Sequence, residues 1–303
     1  MKYYDVIVIG AGIAGMTAAI YARRAGKTVL VFEGKAYGGQ IINTLNIENW
    51  PGDYGVSGVD LSQKIYHQMN NLGAEIEFDE VTEVLDRDKD GHFVVKTESE
   101  EYSCSDIIIA VGAEDKKAGF PREEEMTGRG VSYCATCDGA FYKDKDVAVI
   151  GGGNTALYDA SYLSNIAKKV YLVHRRDEFR GDSREVEKLQ KCENVEFVLG
   201  YVPKEVLGEK KVEGLVVAPS GKVEGVTDER RLDASGIFVA VGKKPMTEIF
   251  AGLVELDENG YIVAGEDCKT THEGIYAVGD CRTKDVRQLV TAAADGAVAA
   301  SNL

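Results

Sequence analysis

The sequence predicts an α/β fold of two similar domains, the second inserted into the first, each a three-layer parallel sheet with an antiparallel meander. Two glycine-rich turns, Gly10-Ala-Gly12-Ile-Ala-Gly15 and Gly151-Gly-Gly153-Asn-Thr-Ala156, stand far apart in the chain. Each follows a short apolar run and opens a small-residue segment of helical length that leads to another apolar run. The separation from Gly15 to Glu33 equals that from Ala156 to His174, so the two units are in register. One glycine pattern of this kind is weak evidence. Two in matched strand–turn–helix–strand context mark Rossmann-like dinucleotide-binding units.

In order, residues 6–9 read as a strand, 13–25 as a helix and 28–32 as a second strand. Residues 81–86, 92–97 and 101–105 read as short antiparallel strands, with Lys89-Asp90-Gly91 as a turn. The apolar run 107–111 returns as a buried strand that ends at Gly112. The second half repeats this plan: strand 147–150, a helix from Asn154, strand 170–173, meander strands at 211–218 and 230–232, and a returning strand at 237–241. Polar, punctuated segments at 114–121 and 242–245 read as linkers. Beyond them lie a strand at 275–278, Gly279-Asp280 and a helix from Gln288, too little for a third such domain. They are assigned back to the first. The expected domains are 1–114 with 245–303, and 115–244.

The net charge of −15 argues against nucleic acid or an anionic membrane as partner. No apolar run approaches the roughly 18 residues needed to span a bilayer. No basic-then-apolar leader opens the sequence, and a cytoplasmic location is expected. Of six cysteines, Cys104, Cys192, Cys268 and Cys281 are scattered and read as free thiols in a reducing compartment. Cys134 and Cys137 are spaced for a reversible disulfide. They also suit half a zinc site, but zinc takes four ligands and no second CxxC or paired histidine follows. Asp138-Gly139 reads either as an ordinary turn or as a proton donor and acceptor for leaving thiolates.

In the first fingerprint, Gly10, Ala11, Gly12, Ile13 and Ala14 let the backbone approach a pyrophosphate at a helix N-terminus. Glu33, at the end of the next strand, accepts from a ribose and repels a 2′-phosphate, so this site suits FAD or NAD. In the second, Gly152, Gly153, Asn154, Thr155 and Ala156 form the turn, and His174 replaces the glutamate, followed by Arg175, Arg176 and Arg180. Guanidinium forks match a 2′-phosphate, which points to NADPH; a solvated basic edge is the alternative. Gly279-Asp280 places a carboxylate for a ribityl hydroxyl. Arg287-Gln288-Leu289 opens a helix whose positive end suits the charge of a reduced flavin. Gly39-Gln40 and Trp50-Pro51-Gly52 either line the flavin ring or pack a loop. The three parts form an electron path from pyridine nucleotide through flavin to a disulfide.

These motifs, with Glu48-Asn49-Trp50-Pro51-Gly52, Gly130-Val-Ser-Tyr-Cys134-Ala-Thr-Cys137-Asp138-Gly139 and His174-Arg-Arg-Asp-Glu-Phe-Arg180, resemble low-molecular-weight, bacterial-type NADPH-dependent thioredoxin reductase, in order along essentially the whole chain. The resemblance implies a homodimeric FAD enzyme that passes electrons from NADPH to the disulfide of thioredoxin, its inserted domain rotating between half-reactions. It implies that Cys137 faces the flavin, that Cys134 attacks thioredoxin and that Asp138 is the acid–base residue. It also carries over FAD contacts to Gly39, Gln40, Asn49, Val81, Gly112, Gly279, Asp280 and Arg287 to Leu289, and thioredoxin docking to Arg129 and Phe141. Tyr158-Asp159 stands where the family often has two acidic residues, and Ala140 precedes Phe141 where many members have two aromatics. Relatives on this scaffold take electrons from ferredoxin or a deazaflavin, or act on small dithiols; the intact arginines favour NADPH. A non-catalytic nucleotide-sensing or metal-binding protein is the competing class.

Overall fold

A strand in mid-sheet buries a continuous apolar run, and β1 (Lys2–Ile9) does so over its last four residues. In the computed structural model, which describes residues 1–44 and 46–303, Gly12 caps α1 (Ile13–Arg24), an Ala- and Gly-rich helix. Arg23 and Arg24 occupy its last turn, the charge that suits a helix C-terminus. β2 (Val29–Phe32) is fully buried. The sequence reading does not identify the next helix, α2 (Gly58–Asn71), where Ser57 Oγ accepts the Asp60 amide at 3.0 Å as an N-cap. Then come β3 (Glu75–Glu77), β4 (Val81–Leu85), β5 (Phe93–Thr97) and β6 (Glu101–Ile109). Among the described residues the sheet runs β3-β2-β1-β6 in parallel and continues antiparallel through β5 to β4. The sequence suggests separate strands at 101–105 and 107–111, but they are one. β1 runs beside β6 from Tyr102 to Ile109, and that ladder leaves no room for a break.

After β7 (Ala113–Asp115) the chain builds β8 (Val131–Ser132), α3 (Ala135–Asp138), β9 (Asp146–Ile150), α4 (Asn154–Ser164), β10 (Lys169–His174), α5 (Ser183–Gln190) and β11 (Val195–Leu199). β12 (Tyr201–Leu207), β13 (Gly214–Pro219), β14 (Arg230–Leu232) and β15 (Gly236–Val239) complete this part. A parallel sheet runs β11-β10-β9-β15-β8, and β12-β13-β14 form an antiparallel sheet of their own. The strand expected at 211–218 begins at Gly214 and pairs with β12, which the sequence reading misses. The register shifts between Pro203 and Glu205, so the alternation that betrays a strand is interrupted there.

β16 (Lys243–Pro245) pairs with β7, and Lys243 Nζ meets Asp115 Oδ1 at 2.6 Å. β17 (Ile275–Ala277) joins the first sheet in parallel beside the last residues of β6. α6 (Leu289–Ser301) begins with a capping box between Gln288 and Thr291. The described residues divide into two compact units, Met1–Glu114 with Lys244–Leu303, and Asp115–Lys243.

In the first unit alternate residues of β1 serve opposite faces. Val6 and Val8 join the core under α1, α2 and α6, while Ile7 and Ile9 join the one under the meander. β9 does the same in the second unit, with Val147 and Val149 on one side and Ala148 and Ile150 on the other. α6 meets α1 backbone to backbone: a Cβ at Gly296 would lie 2.3 Å from the Ala14 carbonyl oxygen. Asp295, beside it, is a buried hub. Its carboxylate accepts two hydrogen bonds from Arg282 (2.9 and 2.8 Å), one from Lys284 Nζ (2.8 Å) and one from the Gly279 amide (2.9 Å). Burial pushes this carboxyl up, but the bonds from Arg282 and Lys284 outweigh it and hold it below its ordinary range.

On α4, Asp159 is half-buried, and burial pushes its carboxyl up to about 7 against the pull of Lys243. An unfolded aspartate ionises near ~4. Below that pH both states keep the proton, so Asp159→Asn should leave stability unchanged. Between ~4 and 7 only the unfolded chain releases its proton, and the parent loses stability as pH rises. At pH 8 Asp159→Asn should be the more stable protein by about 2–4 kcal/mol in matched urea titrations. A gap that does not grow with pH would contradict this burial.

Candidate active site

β8 ends at Ser132 and delivers the chain to the Cys134–Cys137 disulfide, whose Cα atoms lie 5.3 Å apart. The Cys134 carbonyl accepts from the amides of Cys137 (3.3 Å) and Asp138 (3.1 Å), so one turn carries both sulfurs and the carboxyl. Cys137 is exposed and Cys134 half-buried. Ser132 Oγ donates to Asp138 Oδ2 at 2.6 Å and accepts the Cys134 amide at 3.1 Å. Burial pushes the Asp138 carboxyl up from its ordinary value, and the bond from Ser132 pulls it partly back. A carboxyl raised in this way keeps its proton further toward the pH at which thiols exchange, as a donor to a leaving thiolate must.

Tyr133, between Ser132 and Cys134, donates from its hydroxyl to buried Glu123 at 2.8 Å. Glu123 also accepts the Ala118 and Gly119 amides at 2.9 and 2.7 Å. Phe141 stands 44% exposed on the short turn after α3, and Arg129 is exposed just before β8. Zinc needs thiolates, which this disulfide does not offer. Among the described residues no group of three or more His, Cys, Asp and Glu is placed to hold a metal. The other four cysteines are free. Burial pushes Cys104 and Cys281 up to about 12 and Cys268 up to about 11, which keeps these thiols inert.

The second glycine turn lies at the N-terminus of α4. Gly153 caps the helix without a side-chain hydrogen bond, and a Cβ there would meet nothing within 4 Å. Gly152 has no room for one: it would sit 2.2 Å from the His174 ring. His174 stacks on Phe179, and among the described residues its buried Nε2 has no partner. Burial, together with the field of Arg175, Arg176 and Arg180, holds this imidazole below its ordinary value. The Arg180 amide donates to the Gly152 carbonyl at 2.8 Å, and Asn154 Oδ1 accepts the Asp182 amide at 2.7 Å. The basic segment is thereby tied to the glycine turn. Thr155 is exposed on the first turn of α4 and Ala156 is buried beneath it. Among the described residues none of the ion pairs engages Arg175, Arg176 or Arg180. Open amides and three unpaired guanidiniums fit a nucleotide with an extra phosphate.

In the first unit the corresponding turn is built the same way. Gly12 caps α1 with no side-chain bond and open space around its would-be Cβ, and Ile13 and Ala14 are buried in the first turn. Glu33 accepts the Ala11 amide and the Lys35 amide, each at 2.9 Å. Gly38 bridges to Gly12, and Gly39 lies 3.4 Å from the Gly12 Cα by its would-be Cβ. Gly279, with φ +73, packs against Ala14, and Asp280 follows it. Gln40 Nε2 donates to the Ala113 carbonyl, just after Gly112. Asn49 Nδ2 donates to Gln288 Oε1 at 3.1 Å, joining the Trp50 loop to the start of α6 at Leu289. Arg287 lies 4.3 Å over the Tyr261 ring, and among the described residues its buried Nε has no partner. Val81 is buried at the start of β4, in the same core as Phe32. The ends of α1 and α6 and the loops around them therefore converge, and the open helix N-terminus beside a carboxylate fits a dinucleotide without a 2′-phosphate.

Ser132, Glu123 and Asp295 escape the sequence reading as site residues. Ser132 lies within the Gly130–Gly139 motif, but only the fold brings it under Asp138. A lone aspartate in the Ala-rich stretch 292–300 was the available signal for Asp295.

A family profile described as pyridine nucleotide-disulphide oxidoreductase matches residues 4–297. The chain is 43% identical over 302 residues to a thioredoxin reductase of Listeria innocua, covering 99% of this chain and 93% of that protein. It is likewise 43% identical over 303 residues to a thioredoxin reductase of Bacillus subtilis, covering 100% and 94%. The crystal structure of thioredoxin reductase from Streptococcus pyogenes matches with a TM-score of 0.92 at 38% identity, covering 99% of this chain and 97% of that one. With a disulfide turn and two nucleotide cradles in a chain similar to these proteins from end to end, it belongs to the pyridine nucleotide-disulphide oxidoreductase family and, within it, to the thioredoxin reductases.

Proposed function

We propose that this enzyme carries electrons from NADPH through FAD and the Cys134–Cys137 disulfide to the disulfide of thioredoxin, in the cytosol and as a homodimer. The observation that carries the reading is one compact unit holding both an accessible disulfide turn with a half-buried carboxyl and a glycine turn beside arginines that no ion pair engages among the described residues. Gly10, Gly12, Glu33 and Asp280 of the first unit would hold FAD, which when bound would supply a two-electron relay between a nicotinamide and a disulfide.

Once the pair is reduced, the Cys134 thiolate attacks a sulfur of thioredoxin. That S–S bond breaks as a mixed disulfide forms, and the leaving thiolate takes a proton from Asp138. Cys137 then gives its proton to Asp138 and attacks Cys134 Sγ; the second thioredoxin sulfur leaves as a thiolate and takes that proton, and the Cys134–Cys137 bond closes again. Arg175, Arg176 and Arg180 hold the 2′-phosphate, and Glu33 the adenosine ribose of FAD. The thiols and the nicotinamide must each reach the same flavin, yet both belong to the inserted unit. The unit therefore rotates about the segments 114–121 and 242–245, with Arg129 and Phe141 receiving thioredoxin when the thiols face outward.

Cys134→Ser and Cys137→Ser should each lose thioredoxin reduction in an NADPH-coupled assay while the purified protein keeps its yellow flavin. Substantial turnover in either would remove the pair from the mechanism. Replacing Arg175, Arg176 and Arg180 together should weaken NADPH by about 100-fold or more in kcat/KM and spare NADH, since each charge-assisted contact is worth about 1.5–3 kcal/mol. Equal losses for both nucleotides would refute the phosphate assignment. A crosslink that locks the two units should permit one half-reaction and block turnover, and full-speed turnover of the locked enzyme would exclude the rotation.

A further inference from the structure

We propose that Ser132 is a positioning residue for the disulfide chemistry, its hydroxyl clamping the Asp138 carboxyl to the Cys134 backbone in both protonation states of that carboxyl. The proposal rests on the function proposed above. Ser132 is 5% exposed at the end of β8, so its hydroxyl is largely shielded from solvent. Among the described residues the hydroxyl has three hydrogen-bond partners: Asp138 Oδ2 at 2.6 Å, the Cys134 amide at 3.1 Å and the Cys134 carbonyl oxygen at 3.4 Å. With Asp138 ionised, the hydroxyl donates to the carboxylate while accepting the amide. With Asp138 protonated, the acid donates to the hydroxyl oxygen, and the hydroxyl proton turns toward the Cys134 carbonyl. Each arrangement leaves the backbone of the attacking cysteine tied to its proton donor, so the carboxyl exchanges its proton without swinging away.

The surroundings leave this task to Ser132. The 139–142 turn brings Tyr142 near Asp138, with Lys145 Nζ 5.6 Å over the Tyr142 ring. α4, packed against α3, contributes Tyr162, which covers Gly139, and carries Tyr158 and Asp159. Among the described residues only Ser132 hydrogen-bonds the Asp138 side chain. The Ser132 bond favours the ionised carboxyl and burial opposes it. Removing the hydroxyl therefore raises the proton affinity of Asp138.

The test uses the flavin-loaded protein with carboxyl-13C aspartate, the Asp138 signal being identified by its loss in Asp138→Asn. In oxidised Ser132→Ala the Asp138 titration should move to higher pH, its proton affinity up roughly tenfold, the order expected for one hydrogen bond to a carboxylate. In stopped-flow transfer from pre-reduced enzyme to thioredoxin, the pH limb governed by Asp138 should move in the same direction. Ser132→Thr should restore both. If Ser132→Ala does not fold, Ser132→Thr and Ser132→Val, equal in shape and different by one hydroxyl, make the same comparison. A titration of Ser132→Ala or Ser132→Val that superimposes on that of the hydroxyl-bearing protein overturns the clamp. A shifted titration in a protein that passes no electrons to thioredoxin even as wild type would keep the clamp and sink the proposed function instead.

Discussion

Both halves of this protein depend on one close approach of backbone to backbone. Where β1 ends, the Gly10 amide donates to the Phe32 carbonyl at 2.8 Å and the Ile9 carbonyl accepts the Ala110 amide at 2.8 Å. Where β9 ends, the Gly151 amide donates to Val173 at 3.0 Å and Ile150 accepts Ala240 at 2.8 Å. A Cβ on Gly10 would lie 2.5 Å from the Ala110 carbonyl oxygen, and one on Gly151 would lie 2.3 Å from that of Ala240. No side chain fits at either place. The approach brings three strand ends together and leaves a helix N-terminus open at the carboxyl edge of the sheet, where ligands of such folds bind.

The two copies keep this frame and diverge at the residue that ends the second strand. In the first, Glu33 spans the Ala11 and Lys35 amides and presents a negative edge. In the second, the His174 ring packs against Gly152, and the chain leaves the strand through arginines that no carboxylate pairs among the described residues. A protein of net charge −15 thus keeps a local basic site, and in so acidic a surface an unpaired cluster of that sign has a steep local field.

Beyond the shared frame the two units diverge further. In the first unit α6 returns against α1 through Gly296, and the Asp295 hub binds the Gly279 turn to that helix. Buried ion pairs of this kind are seldom a net gain over apolar packing. Their effect here is geometric, since one carboxylate sets the places of Gly279, Arg282 and Lys284 together. In the second unit the disulfide turn is anchored by Glu123, through Tyr133, and by Ser132. Deep burial silences Cys104, Cys268 and Cys281, whereas the Cys134–Cys137 turn leaves Cys137 exposed.

Much of this was legible beforehand because the determining interactions are local. A glycine turn between an apolar run and a small-residue helix is recognisable from a dozen residues, as are the Cys134/Cys137 spacing and the Arg175, Arg176 and Arg180 cluster. The sequence by itself therefore determined the duplicated frame, the disulfide and the opposite charge of the two cradles. Other features depend on partners distant in the chain. β6 is one strand because β1 runs its full length, and β12 forms across a bulge that erases its alternation. Asn49 meets Gln288, and Asp295 gathers Gly279, Arg282 and Lys284, only once α6 has packed. Ser132 shows the limit most plainly. Its position two residues before Cys134 was in view, but the path of the disulfide turn folds Asp138 back onto it, and tertiary structure alone decided that contact.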